Sequence, residues 1–242
     1  MKIFLTPFLF SNFVMAGYVP QNHEIRIGDM LIDEEEITTE KGATALFIGT
    51  TWTDGILPIE FANDLTEKQK MDFLNACSEW EKIAKINCKI RKNEDRYVYV
   101  QKNAKGCFAS IGMGTMPWSK KRTLNLEEGG CWNKRTIVHE IGHSLSLLHE
   151  HQRSDRDRYV KIEKDNVQSG AKSNFFKIFW TKEYSDYDFL SIMHYRDNAF
   201  AKTSNLMTIN ARPGYTQYQG SMGRLTELSQ GDQETVRKLY GP

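Results

Sequence analysis

The chain has 242 residues, 40% of them hydrophobic and 26% charged, which fits one globular domain with a real core and excludes a disordered or fibrous protein. A formal net charge of +1 gives no strong electrostatic case for nucleic acid. No uninterrupted apolar run approaches the roughly 20 residues of a membrane span.

Met1 to about Ala16 reads as a secretory signal peptide. Lys2 supplies the positive start, Ile3 to Phe10 is apolar apart from Thr6 and Pro7, and Val14 and Ala16 stand where small residues mark cleavage. A buried N-terminal strand is the other reading of this stretch. Export to an oxidising compartment gives meaning to the four cysteines, Cys77, Cys88, Cys107 and Cys131. An even count there implies disulfides, and four cysteines allow three pairings. None forms a C-x-x-C pair, which argues against a cysteine-ligated metal.

The next stretch is acidic. Tyr18 to Gly42 carries seven acids and two bases, a net of −5; with Lys2 set aside, the chain from Ala43 onward is at +5. That contrast suits a propeptide (residues 17–42) lying across its own basic domain (residues 43–242), although a solvated N-terminal tail has the same composition.

From Ala43 the pattern is that of one compact unit. Gly55 to Ile59 starts a strand. Leu65 to about Ala84 is predicted as a helix with Phe73, Leu74, Cys77, Trp80 and Ala84 on one face and Asp64 as its N-cap. Tyr97–Gln101 and Arg122–Leu126 alternate as strands do. Thr136–Leu148 and Leu228–Tyr240 are predicted as two further helices.

The chemistry is concentrated in His139-Glu140-Ile141-Gly142-His143, followed by His149. Residues four apart share a helix face, so His139 and His143 can aim two imidazoles at one cation, with Glu140 beside a water bound there. His149 joins them only if the helix breaks near Ser146 and the chain turns back. Three neutral imidazoles with one open position describe a catalytic rather than a structural zinc site. The metal acidifies the water and polarises a carbonyl, and Glu140 takes the proton and passes it on. Five of the six histidines lie between His139 and His194.

These residues carry a family resemblance. H-E-x-x-H-x-x-G-x-x-H marks the metzincin clan, and Glu150-His151-Gln152-Arg153-Ser154-Asp155-Arg156-Asp157 resembles the astacin continuation, Glu followed by R-x-D-R-D. Ser191-Ile192-Met193-His194-Tyr195 resembles a second astacin element. The resemblance implies Met193 as the Met-turn residue beneath the ligands. It implies Tyr195 as a zinc ligand in the resting site that swings to stabilise the oxyanion. Trp52 to Pro58 looks like the family's first mature strand, Leu228 to Tyr240 like its last helix, and Gly106-Cys107 with Gly130-Cys131 like its paired loop cysteines, implying a Cys107–Cys131 disulfide. Arg26-Ile27-Gly28-Asp29 looks like the family's F-x-G-D propeptide motif with Arg26 in place of the aromatic. By that likeness Asp29 occupies the open zinc position in the latent form. A cut near Lys41 would then free an α-ammonium near Ala43 to reach Glu150.

Two further departures from the family pattern matter. Ser146 stands where the metzincin glycine adopts a left-handed backbone, at a cost of roughly 1–2 kcal/mol for a residue with a side chain. Cys88 has no C-terminal partner, so it pairs with Cys77 or stays free, as buried cysteines readily do.

The expectation is a secreted, minimal propeptide-plus-catalytic-domain astacin: a zinc endopeptidase that hydrolyses peptide or protein substrates after an activating protease has cut it. Its fold should be α+β and two-lobed. A twisted mixed sheet and two helices make the upper lobe, and an irregular lower lobe with a C-terminal helix follows from His149. Substrate would lie extended between the lobes along an edge strand. A catalytically impaired zinc-fold binding or adhesion protein is the alternative, favoured by Ser146 alone. Another kind of metzincin is opposed by Glu150 and the R-x-D-R-D run.

Overall fold

The computed structural model describes residues 24–33, 50–178 and 182–242. The expected signal peptide, the acidic run after Asp33, and Lys41 and Ala43 lie outside the described residues. No described helix is long and apolar enough to cross a membrane.

Seven strands form one mixed sheet: β1 (Glu24–Ile27), β2 (Met30–Asp33), β3 (Ile56–Phe61), β4 (Asn87–Ile90), β5 (Tyr97–Gln101), β6 (Cys107–Ser110) and β7 (Lys121–Leu126), in the order β1-β2-β6-β7-β5-β3-β4. Strands β4, β3, β5 and β7 run parallel, β6 is antiparallel to β7, and β2 is parallel to β6. The β1–β2 hairpin, from the acidic leader, thus covers the sheet edge that β6 would otherwise present. Its backbone bonds run from Ala109 N–H to Asp29 C=O (2.9 Å) and from Ile111 N–H to Leu31 C=O (2.9 Å).

Among the described residues three α-helices complete the frame: α1 (Glu67–Glu81), α2 (Lys134–Ser144) and α3 (Gln230–Tyr240). Helix α1 buries Phe73, Ala76, Cys77 and Trp80, an i, i+3, i+4, i+7 stripe, against the sheet. It starts two residues later than Asp64 would dictate. Thr66 has Gln69 at the third helical position, so the two close a reciprocal capping box; exposed Asp64 takes no part. The disulfide Cys77–Cys88 ties α1 to β4, and Cys107–Cys131 ties the start of β6 to the loop before α2. Buried Trp80 donates its indole N–H to Val138 C=O (3.1 Å), which sets α1 against α2.

Helix α2 ends at Ser144, four residues short of the predicted Leu148. Leu145 is its C-cap, Ser146 N–H reaches back to His143 C=O (2.9 Å) and Leu147 N–H to Gly142 C=O (3.0 Å). This pair of bonds needs a left-handed residue at the turn. Ser146 supplies it with φ 74°, and its hydroxyl donates to Thr50 C=O (3.0 Å). Relief of that strain in Ser146→Gly is therefore offset by one lost hydrogen bond, about 1 kcal/mol each, and the variant is expected within about 1 kcal/mol of wild type. Ser146→Ala keeps the strain and loses the bond, so it should be the least stable of the three. Denaturant unfolding tests this order; an alanine variant as stable as the glycine variant would contradict it.

The lower lobe begins at His149. It is built from short 3₁₀ turns, the two-stranded ribbon β8 (Val160–Ile162) with β9 (Ile209–Ala211), and α3. Its own core gathers Val160, Val167, Phe175, Tyr187, Phe189, Ile209 and Met222. The architecture is α+β and two-lobed, as expected.

Candidate metal centre and cleft

The break after α2 is what assembles the site. His139 and His143 project from one face of the helix, and the reversal at Ser146 carries His149 back to them; the three ring centroids lie 4.6–5.4 Å apart. All three are buried. Each ring is held by its Nδ1, which donates to Ile192 C=O (2.7 Å) in His139, to Leu147 C=O (2.8 Å) in His143 and to Gln152 Oε1 (2.8 Å) in His149. These bonds fix the tautomer, so each Nε2 keeps its lone pair. All three Nε2 atoms are buried and converge on the Asp29 carboxylate, an acceptor to which an imidazole nitrogen carrying only a lone pair cannot donate. Burial, then the neighbouring His149 and His139, push the His143 imidazole well below its usual pKa and keep it neutral. Buried polar atoms are rarely left unpaired, and three convergent neutral imidazoles are a donor set suited to zinc.

A turn below the ligands braces them. Met193 is buried under α2 and packs against Gly142; a Cβ there would come within 2.7 Å of Met193 Sδ and force that side chain to shift. The turn is fastened from α3, where Asp232 accepts from Ser191 Oγ (2.6 Å) and Ile192 N–H (2.9 Å). Ile192 C=O in turn orients His139. A carboxylate at the start of the last helix thereby positions a ligand 93 residues earlier in the chain.

The turn of the β1–β2 hairpin enters this site. Asp29 Oδ1 lies 2.8 Å from His149 Nε2 and 3.9 Å from His143 Nε2, and Asp29 Oδ2 lies 3.4 Å from His139 Nε2. Tyr195 donates its hydroxyl to Asp29 Oδ1 (3.2 Å). Gly28 permits the approach, with φ 69° and space for no Cβ, which would meet the Tyr195 oxygen at 2.5 Å. Asp29, His139, His143 and His149 bring their donor atoms within 4.8 Å of one another, a group that could hold a metal ion. Glu140 is also buried, with Oε2 unpartnered. Burial first, then the Asp29 charge, raise its carboxyl well above the usual range, with Arg26 opposing. Burial and the Asp29 charge likewise raise the Tyr195 phenol, keeping it a proton donor. A cavity of about 590 Å³ opens beside these groups, lined by Arg26, Gly106, Arg135, His139, Glu140 and Tyr195 among others.

Glu150 is not at the metal centre. Its half-buried carboxyl accepts from Arg153 Nη1 (2.8 Å) and Asp188 N–H (2.9 Å), and desolvation pushes it up to about 7. Several supporting residues carry no role that the sequence motifs announce. Gln152 orients His149. His151 stacks on Tyr195 with ring centroids 4.1 Å apart and is fixed by Asn174 C=O (3.0 Å). Arg26, read only as a missing aromatic, lies over the Phe108 ring (4.2 Å) and donates to Gly28 C=O (2.9 Å). The spacing His149-x-x-Gln152 was a readable signal; the contacts of His151 and Arg26, made across the fold, were not.

A mixed sheet, an H-E-x-x-H helix broken to collect a third histidine, and a methionine turn beneath them are the features of the metzincin class of zinc peptidases. The family model for the astacin peptidases matches residues 46–241, and the chain belongs to the astacin family. It is 33% identical over 211 residues to bone morphogenetic protein 1 of Xenopus laevis, covering 86% of this chain and 29% of that protein. It is 30% identical over 223 residues to zinc metalloproteinase nas-14 of Caenorhabditis elegans, covering 88% and 42%. The chain therefore spans less than half the length of either relative. Among solved structures it resembles high choriolytic enzyme 1, a hatching enzyme zinc-protease from Oryzias latipes, with a TM-score of 0.72, 25% identity, and coverage of 83% of this chain and 97% of that one.

Proposed function

We propose that this chain is a secreted zinc endopeptidase made as a latent precursor, in which His139, His143 and His149 hold one zinc ion and Glu140 is the general base. The observation that carries the reading is the set of three buried, tautomer-fixed imidazoles whose Nε2 atoms converge on one point facing the Asp29 carboxylate, with Glu140 on the helix of His139 and His143. Zinc, when bound, lowers the pKa of a water and polarises the scissile carbonyl. Glu140, in its buried setting, accepts the proton of the attacking water and delivers it to the leaving amine. Tyr195 keeps its phenolic proton and donates it to the developing oxyanion once Asp29 has left.

Latency rests on the hairpin. Asp29 supplies a carboxylate where water would enter, and β2 covers the edge of β6 along which an extended substrate would pair. Cleavage between residues 33 and 50 would release both. The freed α-ammonium near Ala43 would find its partner in Glu150, whose half-buried carboxylate has one arginine beside it. The two disulfides suit an oxidising, extracellular location. The impaired-enzyme alternative drew on Ser146 alone, and Ser146 adopts the left-handed backbone that position requires.

The test is hydrolysis of a quenched fluorescent peptide library by the full-length chain before and after limited proteolysis, with and without a chelator. Turnover should appear on processing, vanish with the chelator and return with zinc. Chelator-resistant turnover would contradict the reading.

A further inference from the structure

A second ionic contact between the hairpin and the rest of the chain lies away from the metal centre. Arg122, on β7, is fully buried. Two backbone carbonyls of the domain orient its guanidinium: Nη2 donates to Ile111 C=O (2.8 Å) and Nε to Gly112 C=O (3.1 Å). The remaining nitrogen faces carboxylates, Asp33 Oδ1 and Oδ2 at 3.0 and 3.1 Å and Glu24 Oε1 at 3.3 Å. Ser110 Oγ joins from β6, donating to Glu24 Oε1 at 2.8 Å. Among the described residues, every carboxylate paired with Arg122 belongs to the hairpin.

Removal of the hairpin leaves a guanidinium that is still held in place by Ile111 and Gly112 but has lost its counter-ions. A carboxylate that returns to this guanidinium makes charge-assisted hydrogen bonds in the geometry the two carbonyls fix. The site lies on the same sheet edge an extended substrate would use, at the Ile111 end of β6. The cavity with Arg26 and Arg135 lies at the opposite, Gly106 end.

We propose that Arg122 and Ser110 form a carboxylate-binding subsite of the processed enzyme, selecting substrates with an acidic side chain on one side of the scissile bond; Asp33 and Glu24 occupy it in the precursor. The proposal rests on the latency reading above, because the subsite opens only when the hairpin leaves. Asp33 is four residues from Asp29, about 13 Å of extended chain at roughly 3.3 Å per residue. The acidic residue should therefore lie three to five positions from the bond cleaved.

The experiment compares peptides in which Glu or Gln is moved along the sequence on either side of one cleaved bond, using the processed chain. At one position in that range, kcat/KM for Glu should exceed that for Gln by about ten- to a hundredfold, chiefly through KM. The ratio should fall close to one in Arg122→Gln and only partly in Arg122→Lys, which keeps the charge without the planar fork. If Arg122→Gln fails to fold, Arg122→Lys and the wild-type scan still decide the matter. A ratio within about twofold at every position, or a preference unchanged in the Arg122 variants, would overturn the proposal. If processing leaves even the Gln peptides uncleaved, the latency reading fails and this proposal falls with it. If they are cleaved without charge preference, only this proposal falls.

Discussion

Glu140→Gln in the processed chain is expected to lower turnover by about 10²–10⁴-fold while leaving zinc at one ion per chain. The amide matches the carboxylate in shape, so the buried position on α2 keeps its packing. The three imidazoles keep the backbone and Gln152 contacts that orient them. What is lost is the capacity to accept a proton in a buried setting. His143→Ala should instead lose zinc and activity together, because it removes one of three converging Nε2 donors and the bond to Leu147 C=O that closes the turn. Metal analysis beside peptide turnover separates the two variants. Substantial turnover in Glu140→Gln would mean that another group is the base.

The second large effect is expected in the unprocessed chain. Asp29→Ala should raise its turnover at least tenfold over unprocessed wild type, or at the least admit an active-site inhibitor that wild type refuses. The variant removes the carboxylate that lies against His149 and accepts from Tyr195. It should remain well below the processed enzyme, since β2 keeps its backbone bonds to β6 and Asp33 keeps its pairing with Arg122. Equal turnover in processed and unprocessed wild type would contradict the whole latency argument.

The site was more legible in the sequence than the sheet was. His139, Glu140 and His143 declare themselves because helical geometry turns a spacing of four into one face, and the need for a break before His149 follows from the same geometry. Long elements with an apolar stripe, such as α1, were readable for the same reason. The strands β1, β2, β4 and β6 were not. Each has four residues and is fixed by its neighbours in the sheet rather than by its own alternation. Asp64 and Thr66 are both good caps in isolation, and only the reciprocal bond with Gln69 distinguishes them. The contact of Arg122 with Asp33 spans 89 residues, and nothing local to either residue announces it.

The central claim, that three histidines hold one zinc on which peptide hydrolysis depends, is tested most directly by titrating zinc into the chelated, processed chain while turnover is measured. Turnover should rise in proportion to added zinc and level off at one equivalent, and His143→Ala should neither retain zinc nor respond to it. Full turnover by the metal-free chain, or an unchanged equivalence point in His143→Ala, would contradict the account.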